Sequence, residues 1–422
     1  MKQYSQMTGA ELQAEYGVVK QKYDELAAKG LKLDMSRGKP CPEQLALSSE
    51  MLDMVSSASD LKTEDGVDCR NYGGLDGISE MKSLFSEILE MPKENIIVGG
   101  NASLNLMFDL MAQAMTHGLG GEPWMKQGEV KFLCPVPGYD RHFGICEYFG
   151  VKMINVPMTD EGPDMDIVEE LIKDESVKGM WSVPKYTNPD GIVYSDRVIK
   201  RLAAMKPAAK DFRIFCDNAY VIHPVFGECD KMLNIYDECV KAGCPDKVIV
   251  FASTSKMTFP GAGVAAIAAS DANIKMIKKR MAYQTIGPDK INHLRHAKLL
   301  PNLEAVKLHM DKHAAIMRPK FEVILSVLDK ELSGLGIADW KKPRGGYFIS
   351  LYTEKGCAKR VEALCRDAGL VLTTVGATYP YGIDPDDSNI RISPSFPSVE
   401  ELANAAELLC TATKLAALEK FM

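Results

Sequence analysis

The sequence predicts an α/β protein. A large domain would carry a mostly parallel, seven-stranded sheet between helices, and the two chain ends would form a smaller α+β domain. Three observations predict this fold. Short β-rich runs alternate with amphipathic stretches that are long enough for crossover helices. Several runs are apolar throughout, which is typical of strands covered on both faces. Beyond about residue 332 this alternation gives way to shorter, mixed elements.

The elements follow in order from the N-terminus. The first is a predicted helix that Thr8 caps, with Glu11 completing a capping box, and that Gly30 ends. The seven strands of the large domain are predicted at residues 95–98, 130–134, 152–157, 179–184, 212–216, 248–252 and 264–269. A long helical region at 288–332 comes next.

The last part of the chain predicts the smaller domain. Its strands are expected at 347–351, 371–374 and 390–392, with helices between and after them. The N-terminal helix is expected to pack on this unit. The predicted division is therefore a large domain at residues 50–310 and a small domain formed by residues 1–49 with 311–422.

Composition and charge exclude several classes of protein. Hydrophobic residues make up 46% and charged residues 25% of the 422 residues, which is the composition of a globular chain and not of a disordered one. The net charge of −7 argues against a nucleic-acid partner. No apolar stretch approaches the ~20 residues of a membrane helix. The N-terminus lacks a basic end followed by an apolar core, so neither a membrane segment nor a signal peptide is predicted.

Cysteine and histidine usage bears on the compartment and on metal binding. The 11 cysteines are scattered without CxxC spacing and mostly lie in apolar surroundings, which predicts a reducing, cytoplasmic location. His309 and His313 have an i, i+4 spacing that could bind a metal. No third ligand is evident nearby, so the pair is interpreted as part of a surface helix and no metal site is predicted.

Polar residues follow several predicted strands, at the edge where ligands collect in open α/β sheets. After the first strand, GGNAS places Asn101 or Ser103 at a helix N-terminus, which could bind phosphate or be an ordinary cap. After the second, Tyr139 could stack on a planar ligand or belong to the core. After the fourth, the Asn-Pro turn leaves the Asn188 amide free to point outward, unless the turn is purely structural.

The next two strands carry the charged candidates. Asp217 ends an apolar strand, where a carboxylate is costly to bury unless it is paired. Lys256 follows the strand after it and is preceded by hydroxyl residues, among them Ser253 and Ser255. A lysine in this position is either a phosphate clamp or an amine with a lowered pKa that can attack a carbonyl group. The joint placement of these residues on successive strand ends favours a ligand site.

The motif series NYGGLDG, GGNAS, NPDG, DNAY and SxSK, with a late RIS, resembles the fold-type I pyridoxal-phosphate enzymes of the class I aminotransferase family. The most similar form is the aspartate aminotransferase-like branch with a SRGKP N-terminal segment, and the match extends over nearly the whole chain. The resemblance implies the PLP transferase fold type I and pyridoxal 5′-phosphate as cofactor. It also implies small amino acid and 2-oxo acid substrates, and a homodimer with shared active sites.

The resemblance assigns roles at the cofactor. Lys256 would hold it covalently and move the proton at the substrate Cα, and Asp217 would pair with its ring nitrogen. Tyr220 and Asn188 would hydrogen-bond the ring oxygen. The other cofactor contacts would be Tyr139 on the ring, His142 behind Asp217, and Asn101, Ala102, Ser103, Ser253, Ser255 and the other subunit's Tyr72 at the phosphate.

At the substrate, the resemblance assigns Arg391 to the α-carboxylate, with Gly38 and Asn188 beside it. Two departures stand out. Many relatives carry a phosphate-binding arginine where this chain has Gly263 or Val264, and the segment 282–290 lacks the arginine that binds a distal carboxylate in some relatives. Candidate replacements for the second arginine are Arg37, which is favoured, and Lys39, Arg141 and Lys290.

An aminotransferase with a ping-pong mechanism is therefore the favoured function, with aspartate and 2-oxoglutarate as the pair that the resemblance suggests. A β-lyase or decarboxylase on the same scaffold is one alternative. A non-catalytic effector-binding module is another, as when this fold is fused to a DNA-binding domain. An NAD-dependent enzyme is disfavoured, because the glycines at 73–77 lack GxGxxG order and precede the first confident strand.

Overall fold

The computed structural model describes residues 2–422, and its elements follow the predicted alternation. The helices are α1 (Gly9–Ala27), α2 (Pro42–Ala46), α3 (Ser79–Leu89), α4 (Ser103–His117), α5 (Asp140–Tyr148), α6 (Met165–Leu171), α7 (Asp196–Ala204), α8 (Ile235–Lys241), α9 (Asp271–Gln284), α10 (Lys290–Leu299), α11 (Leu303–Leu332), α12 (Ala358–Asp367) and α13 (Val399–Phe421). The strands are β1 (Leu33–Asp34), β2 (Ile96–Val98), β3 (Lys131–Val136), β4 (Lys152–Thr159), β5 (Gly162–Pro163), β6 (Val177–Ser182), β7 (Arg213–Asp217), β8 (Val248–Ser253), β9 (Ala265–Ala269), β10 (Ala338–Trp340), β11 (Ile349–Thr353), β12 (Leu370–Val371) and β13 (Asn389–Ile392).

The central sheet has the strand order β2-β9-β8-β7-β6-β3-β4-β5. From β8 to β4 each neighbouring pair is parallel, whereas β9 and the edge strand β5 run antiparallel to their neighbours. All seven predicted strands are present, which confirms the mostly parallel α/β sheet. The eighth strand, β5, was not predicted, because its two residues are too few to show a periodic pattern.

Both faces of the sheet are buried, and this explains the uninterrupted apolar runs. Along β7 and β8, Ile214 and Val250 belong to one core, while Phe215 and Phe251 belong to the core on the opposite face. The parallel strands β3, β6, β7 and β8 all end at the same edge of the sheet. Their C-terminal residues and the loops that follow are therefore brought together there.

The two chain ends form a second unit around the antiparallel sheet β10-β11-β13. Helix α1 packs against α13 in its core, which confirms the predicted placement of the N-terminal helix. The capping box is also present, since Thr8 Oγ1 accepts from Glu11 N–H and Glu11 Oε2 accepts from Thr8 N–H. The strand predicted at 371–374 is shorter than expected and pairs in parallel with β1, outside the three-stranded sheet.

Helix α11 joins the two units. Val306 and Met310 at its start pack in a core of the central sheet, whereas Phe321 and Leu328 pack in the core of the second unit. The predicted domain boundary at residue 310 falls inside this helix, and the division into two domains stays a prediction. None of the helices in the described part of the chain is both long and apolar enough to cross a membrane.

The prediction that His309 and His313 lie on a surface helix was wrong. Both side chains are buried, and their Nε2 atoms lie 2.7 and 2.9 Å from the carbonyl oxygen of Met257. Residues at i and i+4 share one face of a helix, and this spacing does not reveal whether that face is exposed or buried. In this chain the face supports the loop that carries Lys256.

Candidate active site

A cavity of 680 Å³ opens at the edge where the parallel strands end. The predicted residues that line it are Arg37, Gly38, Ala102, Ser103, Tyr139, Asn188, Asp217, Tyr220, Ser253, Ser255, Lys256 and Arg391. Asn101 lies just behind the wall, where its carbonyl oxygen is 3.4 Å from Ser255 Oγ. Tyr72 lies outside this cavity and is 81% exposed. The structure thus brings most of the predicted site residues together.

Lys256 follows β8 and is partly buried. Its Nζ lies 5.1 Å from the ring centroid of Tyr220 and 5.7 Å from that of Tyr347. Burial lowers the pKa of Lys256 below its usual value, and the charge of Arg391 adds to this effect while Asp217 opposes it. A lysine with a lowered pKa has a larger share of the neutral amine, which is the form that reacts with a carbonyl group.

Asp217 is the last residue of β7 and is only 4% exposed. Its Oδ2 lies 3.0 Å from Nε2 of His142, and the His142 ring stacks on Trp181 at 4.3 Å between centroids. The other carboxylate oxygen, Oδ1, is buried without a hydrogen-bond partner in residues 2–422. A buried carboxylate oxygen without a donor is costly. Asp217 therefore fits a ligand that presents an N–H group, as a protonated ring nitrogen does.

The opposite end of the cavity has the features of a phosphate site. Helix α4 begins at Ser103, and its N-cap residue Ala102 makes no side-chain cap. The N–H groups of Ser103 and Leu104 therefore remain free for a ligand, whereas that of Asn105 donates to the carbonyl oxygen of Ala102 at 3.2 Å. Ser253 and Ser255 add hydroxyl groups there, with 3.0 Å between their Oγ atoms. These residues fit a phosphate group.

A side chain at Gly263, one of the two positions where many relatives carry the phosphate arginine, would be tightly placed in this chain. A Cβ atom at Gly263 would lie 3.1 Å from the carbonyl oxygen of Asn101 and 3.3 Å from Oγ1 of Thr254. The side-chain amide of Asn292 fastens this loop by donating to the carbonyl oxygens of Ala262 and Gly263, each at 3.0 Å. The cation that would replace the arginine is not found at this end of the cavity wall in the described residues.

Arg391 lies on β13 at the other side of the cavity and is 7% exposed. Its Nη1 is 3.1 Å from Oδ1 of Asp140 and 3.4 Å from Oδ1 of Asn188, and its Nε is 3.3 Å from Oγ1 of Thr373. Its guanidinium carbon lies 4.9 Å from the ring centroid of Phe348. The guanidinium is held in place and pairs with a carboxylate of the chain itself.

The ring of Phe348 also explains why residue 38 is glycine. A Cβ atom at residue 38 would lie 2.5 Å from Cζ of Phe348, so a side chain there would displace the ring that supports Arg391. The backbone of the SRGKP segment can approach the cavity this closely only with glycine at residue 38.

The candidate cations for a distal carboxylate differ in their availability. Arg37 lines the cavity and is exposed, and its side chain makes no hydrogen bond or ion pair within the described chain. The ammonium of Lys39 lies 3.8 Å from the ring centroid of Phe396, and Arg141 is exposed with its Nε 3.9 Å from Asp140. Lys290 is buried and donates to the carbonyl oxygen of Gly73, away from this cavity.

Among the residues that sequence reasoning missed are Asp140, Phe348 and Thr373 on the cavity wall, and Trp181 behind His142. Asp140 lies in the first turn of α5, where an acidic residue is common because it complements the helix dipole. Phe348 and Thr373 come from the second unit, far along the chain from the strand ends. Local sequence patterns gave no signal that these residues meet.

Comparison with known proteins gives a consistent result. A family model described as aspartate amino-transferase matches residues 6–422. An aspartate aminotransferase of Corynebacterium glutamicum is 45% identical over 405 residues, which cover 96% of this chain and 94% of that protein. The crystal structure of an aspartate transaminase from Corynebacterium glutamicum has a TM-score of 0.97 at 44% identity and covers 99% of each chain.

A more distant solved structure shares the fold. It is an α-aminoadipate aminotransferase of Thermus thermophilus, complexed with N-(5′-phosphopyridoxyl)-L-leucine, with a TM-score of 0.76 and 20% identity. The similarity covers 95% of this chain and 96% of that one.

Proposed function

The chain belongs to the aspartate aminotransferase family, and from this premise we propose that it transfers the amino group of aspartate to 2-oxoglutarate. That it is an aminotransferase of PLP fold type I with pyridoxal phosphate as cofactor follows from the family. The observation that carries the proposal is that Lys256 and the partnerless Oδ1 of Asp217 lie in the wall of one cavity. The lyase, decarboxylase and effector-binding alternatives are not favoured.

The residues at the inner end of the cavity would hold the cofactor. When bound, pyridoxal phosphate supplies a carbonyl carbon that takes up amino groups and a ring that draws electrons from the substrate Cα. Asp217 Oδ1 would accept a hydrogen bond from the ring nitrogen, and His142 would keep the carboxylate aimed. Lys256 would take the proton from Cα, since its lowered pKa leaves an amine that can act as a base.

The phosphate would lie at the N-terminus of α4 and the hydroxyls of Ser253 and Ser255. Tyr139 would cover the ring face. Burial raises the pKa of Tyr139 to about 12, so its phenol stays neutral at physiological pH. Tyr220 and the amide nitrogen of Asn188 would donate hydrogen bonds to the ring oxygen, because Oδ1 of Asn188 already faces Arg391.

The substrate would bind by its carboxylates. Arg391 would receive the α-carboxylate in place of Asp140. We assign the distal carboxylate of aspartate to Arg37, because it is the arginine of the cavity wall that lacks an acidic partner within residues 2–422. Enclosing that carboxylate without a cation would cost several kcal/mol.

We further propose that the active unit is a homodimer in the cytoplasm. Tyr72, Tyr283 and Ile286 are exposed by 81%, 89% and 63%, values that are unusual for large apolar side chains and are typical of an interface. In such a dimer Tyr72 would reach the phosphate of the partner. The cytoplasmic location is supported by the cysteines, all 11 of which are free.

A panel of amino donors tests the proposed substrate. With 2-oxoglutarate as acceptor, we expect aspartate to give a higher kcat/KM than alanine, leucine or α-aminoadipate. A preference for alanine would overturn the aspartate assignment. The absorbance spectrum of the purified protein is the companion measurement, since cofactor bound at Lys256 should give a visible band that borohydride removes.

A further inference from the structure

A second cavity of 720 Å³ lies behind the active site. It is bounded by the sheet at Cys216 and Val250, by helices α3, α8 and α11, and by the loop that follows β7. Its volume matches that of the active-site cavity, 680 Å³, and it shares no lining residue with it. The reaction described above uses none of the residues of this second cavity.

Three polar groups on its wall lack partners. Lys185 is 9% exposed and has neither a hydrogen-bond acceptor nor an acidic partner within residues 2–422. Oδ1 of Asn218 and Oδ2 of Asp230 are buried oxygen atoms for which the described chain supplies no donor, although the other carboxylate oxygen of Asp230 lies 3.3 Å from Nη1 of Arg344. Buried polar groups are nearly always satisfied, because each unpaired one costs free energy. One cationic donor and two acceptors therefore face this cavity without partners from the protein.

These groups define the chemical class of a ligand. Lys185 favours an anionic acceptor. Oδ1 of Asn218 and Oδ2 of Asp230 each accept a hydrogen bond, and the carboxylate charge of Asp230 favours a donor that is cationic, as an ammonium group is. The rim adds the acidic residues Glu87, Glu90, Glu228, Glu304 and Asp311 against only Lys231 and Lys307, which disfavours a polyanion such as a nucleotide. The remaining wall is largely apolar, with Ile88, Val221 and Met232 among its residues.

We propose that the second cavity binds a small zwitterion with an apolar body. Its carboxylate contacts Lys185, and its ammonium contacts Asp230 and Asn218. Tyr186 contacts residues at both ends of this site. Its hydroxyl accepts a hydrogen bond from the Asp230 backbone N–H at 2.9 Å, and the Lys185 ammonium lies 6.0 Å from its ring centroid.

The site communicates with the active site through the segment 217–224. Asp217, Ala219 and Tyr220 line the active-site cavity, whereas Asn218, Val221, Ile222 and Pro224 line the second cavity. A ligand that pulls on Asn218 therefore shifts the neighbours that contact the cofactor. Coupling of this kind changes the two affinities by the same factor in both directions.

Calorimetric titration of the purified holoenzyme tests the site. The probes are 4-aminobutanoate and 6-aminohexanoate, which lack an α-amino acid group, together with the single-charge analogues hexanoate and hexylamine. We expect at least one zwitterion to bind with one site per chain, and each single-charge analogue to bind about tenfold more weakly or worse. Absence of saturable binding by both zwitterions would overturn the proposal.

Substitutions in the wall of the second cavity show where the probe binds. Lys185→Met should abolish the advantage of the zwitterion over hexylamine, and Asp230→Asn its advantage over hexanoate. Lys185→Arg should retain the advantage of the zwitterion over hexylamine, and the rim variant Lys307→Met is the matched control. Binding that survives both Lys185→Met and Asp230→Asn would place the probe elsewhere and refute the site.

A separate measurement tests the coupling between the second cavity and the active site. Saturation with the zwitterion should change the visible circular dichroism of the bound cofactor in the parent protein and leave that of Lys185→Met unchanged. If the probe binds through Lys185 but leaves the cofactor spectrum and KM for the amino donor unaltered, the regulatory part of the proposal is wrong.

Discussion

The active-site cavity has an inner end, around Asp217, and an outer end, around Arg37, and the side chains at the two ends differ in burial. At the inner end, Asp217 and His142 are 4% and 1% exposed and are fixed by a strand end and by stacking on Trp181. At the outer end, Arg37 and Arg141 are exposed side chains on loops or helix ends. Buried charges must have defined partners, whereas exposed ones need none. The inner end should therefore control kcat, and the outer end the choice of substrate.

The largest expected effect comes from Lys256→Ala. It should lower kcat by roughly 10³-fold or more, because the base at Cα and the attachment point of the cofactor are lost together. Steady-state turnover with 2-oxoglutarate measures this. Lys39→Ala, which removes another lysine of the cavity wall, should keep most of the activity. Comparable losses in the two variants would contradict the distinction between the two ends.

Asp217→Asn comes next. The amide cannot stabilise a protonated ring nitrogen, so kcat should fall about 10²-fold while KM changes little. The visible absorbance of the variant should show that the cofactor is still bound. His142→Asn should lie between Asp217→Asn and the parent, since it loosens the carboxylate without removing it. Unchanged turnover in Asp217→Asn would make Asp217 a purely structural residue.

At the outer end, Arg37→Ala should affect aspartate more than alanine as amino donor. Its kcat/KM for aspartate should fall about 10²-fold more than that for alanine, which corresponds to about 2.7 kcal/mol of transition-state binding. Arg141→Ala serves as the matched arginine control. Equal losses for both donors in Arg37→Ala would show that Arg37 only shapes its loop.

The smallest effect is expected for Asp140→Asn. In the structure Asp140 pairs with Arg391, so an incoming α-carboxylate must displace it. Removing the competing charge should lower KM for amino donors by about fivefold or less, in keeping with the ~1 kcal/mol of a partly exposed ion pair. An increase in KM would instead mean that Asp140 positions Arg391.

The same contrast explains what the sequence could and could not predict. Asp217, Lys256 and Asn188 follow apolar strands, and parallel strands end at one edge, so their meeting could be predicted from local patterns. The contact of Arg391 with Asp140 spans 251 positions and depends on how the second unit packs. No local periodicity encodes such a contact.

Two other features were beyond sequence patterns for different reasons. His309 and His313 share a helix face, but the loop that covers this face comes from another part of the chain. The arginine absent at Gly263 could be noticed from the sequence, whereas the crowding by Asn101 and Thr254 required coordinates.

Helix α11 has a consequence for how the protein unfolds. Its 30 residues, about 45 Å in length, contribute side chains to a core of the sheet and to the core of the second unit. Melting either core removes the packing from half of this helix, and the hydrogen-bonded remainder becomes less stable. His309 and His313 extend the dependence to the Lys256 loop through the Met257 carbonyl. A substitution that destabilises either core should therefore also release the cofactor loop at a lower temperature, which the visible absorbance of the cofactor during heating measures.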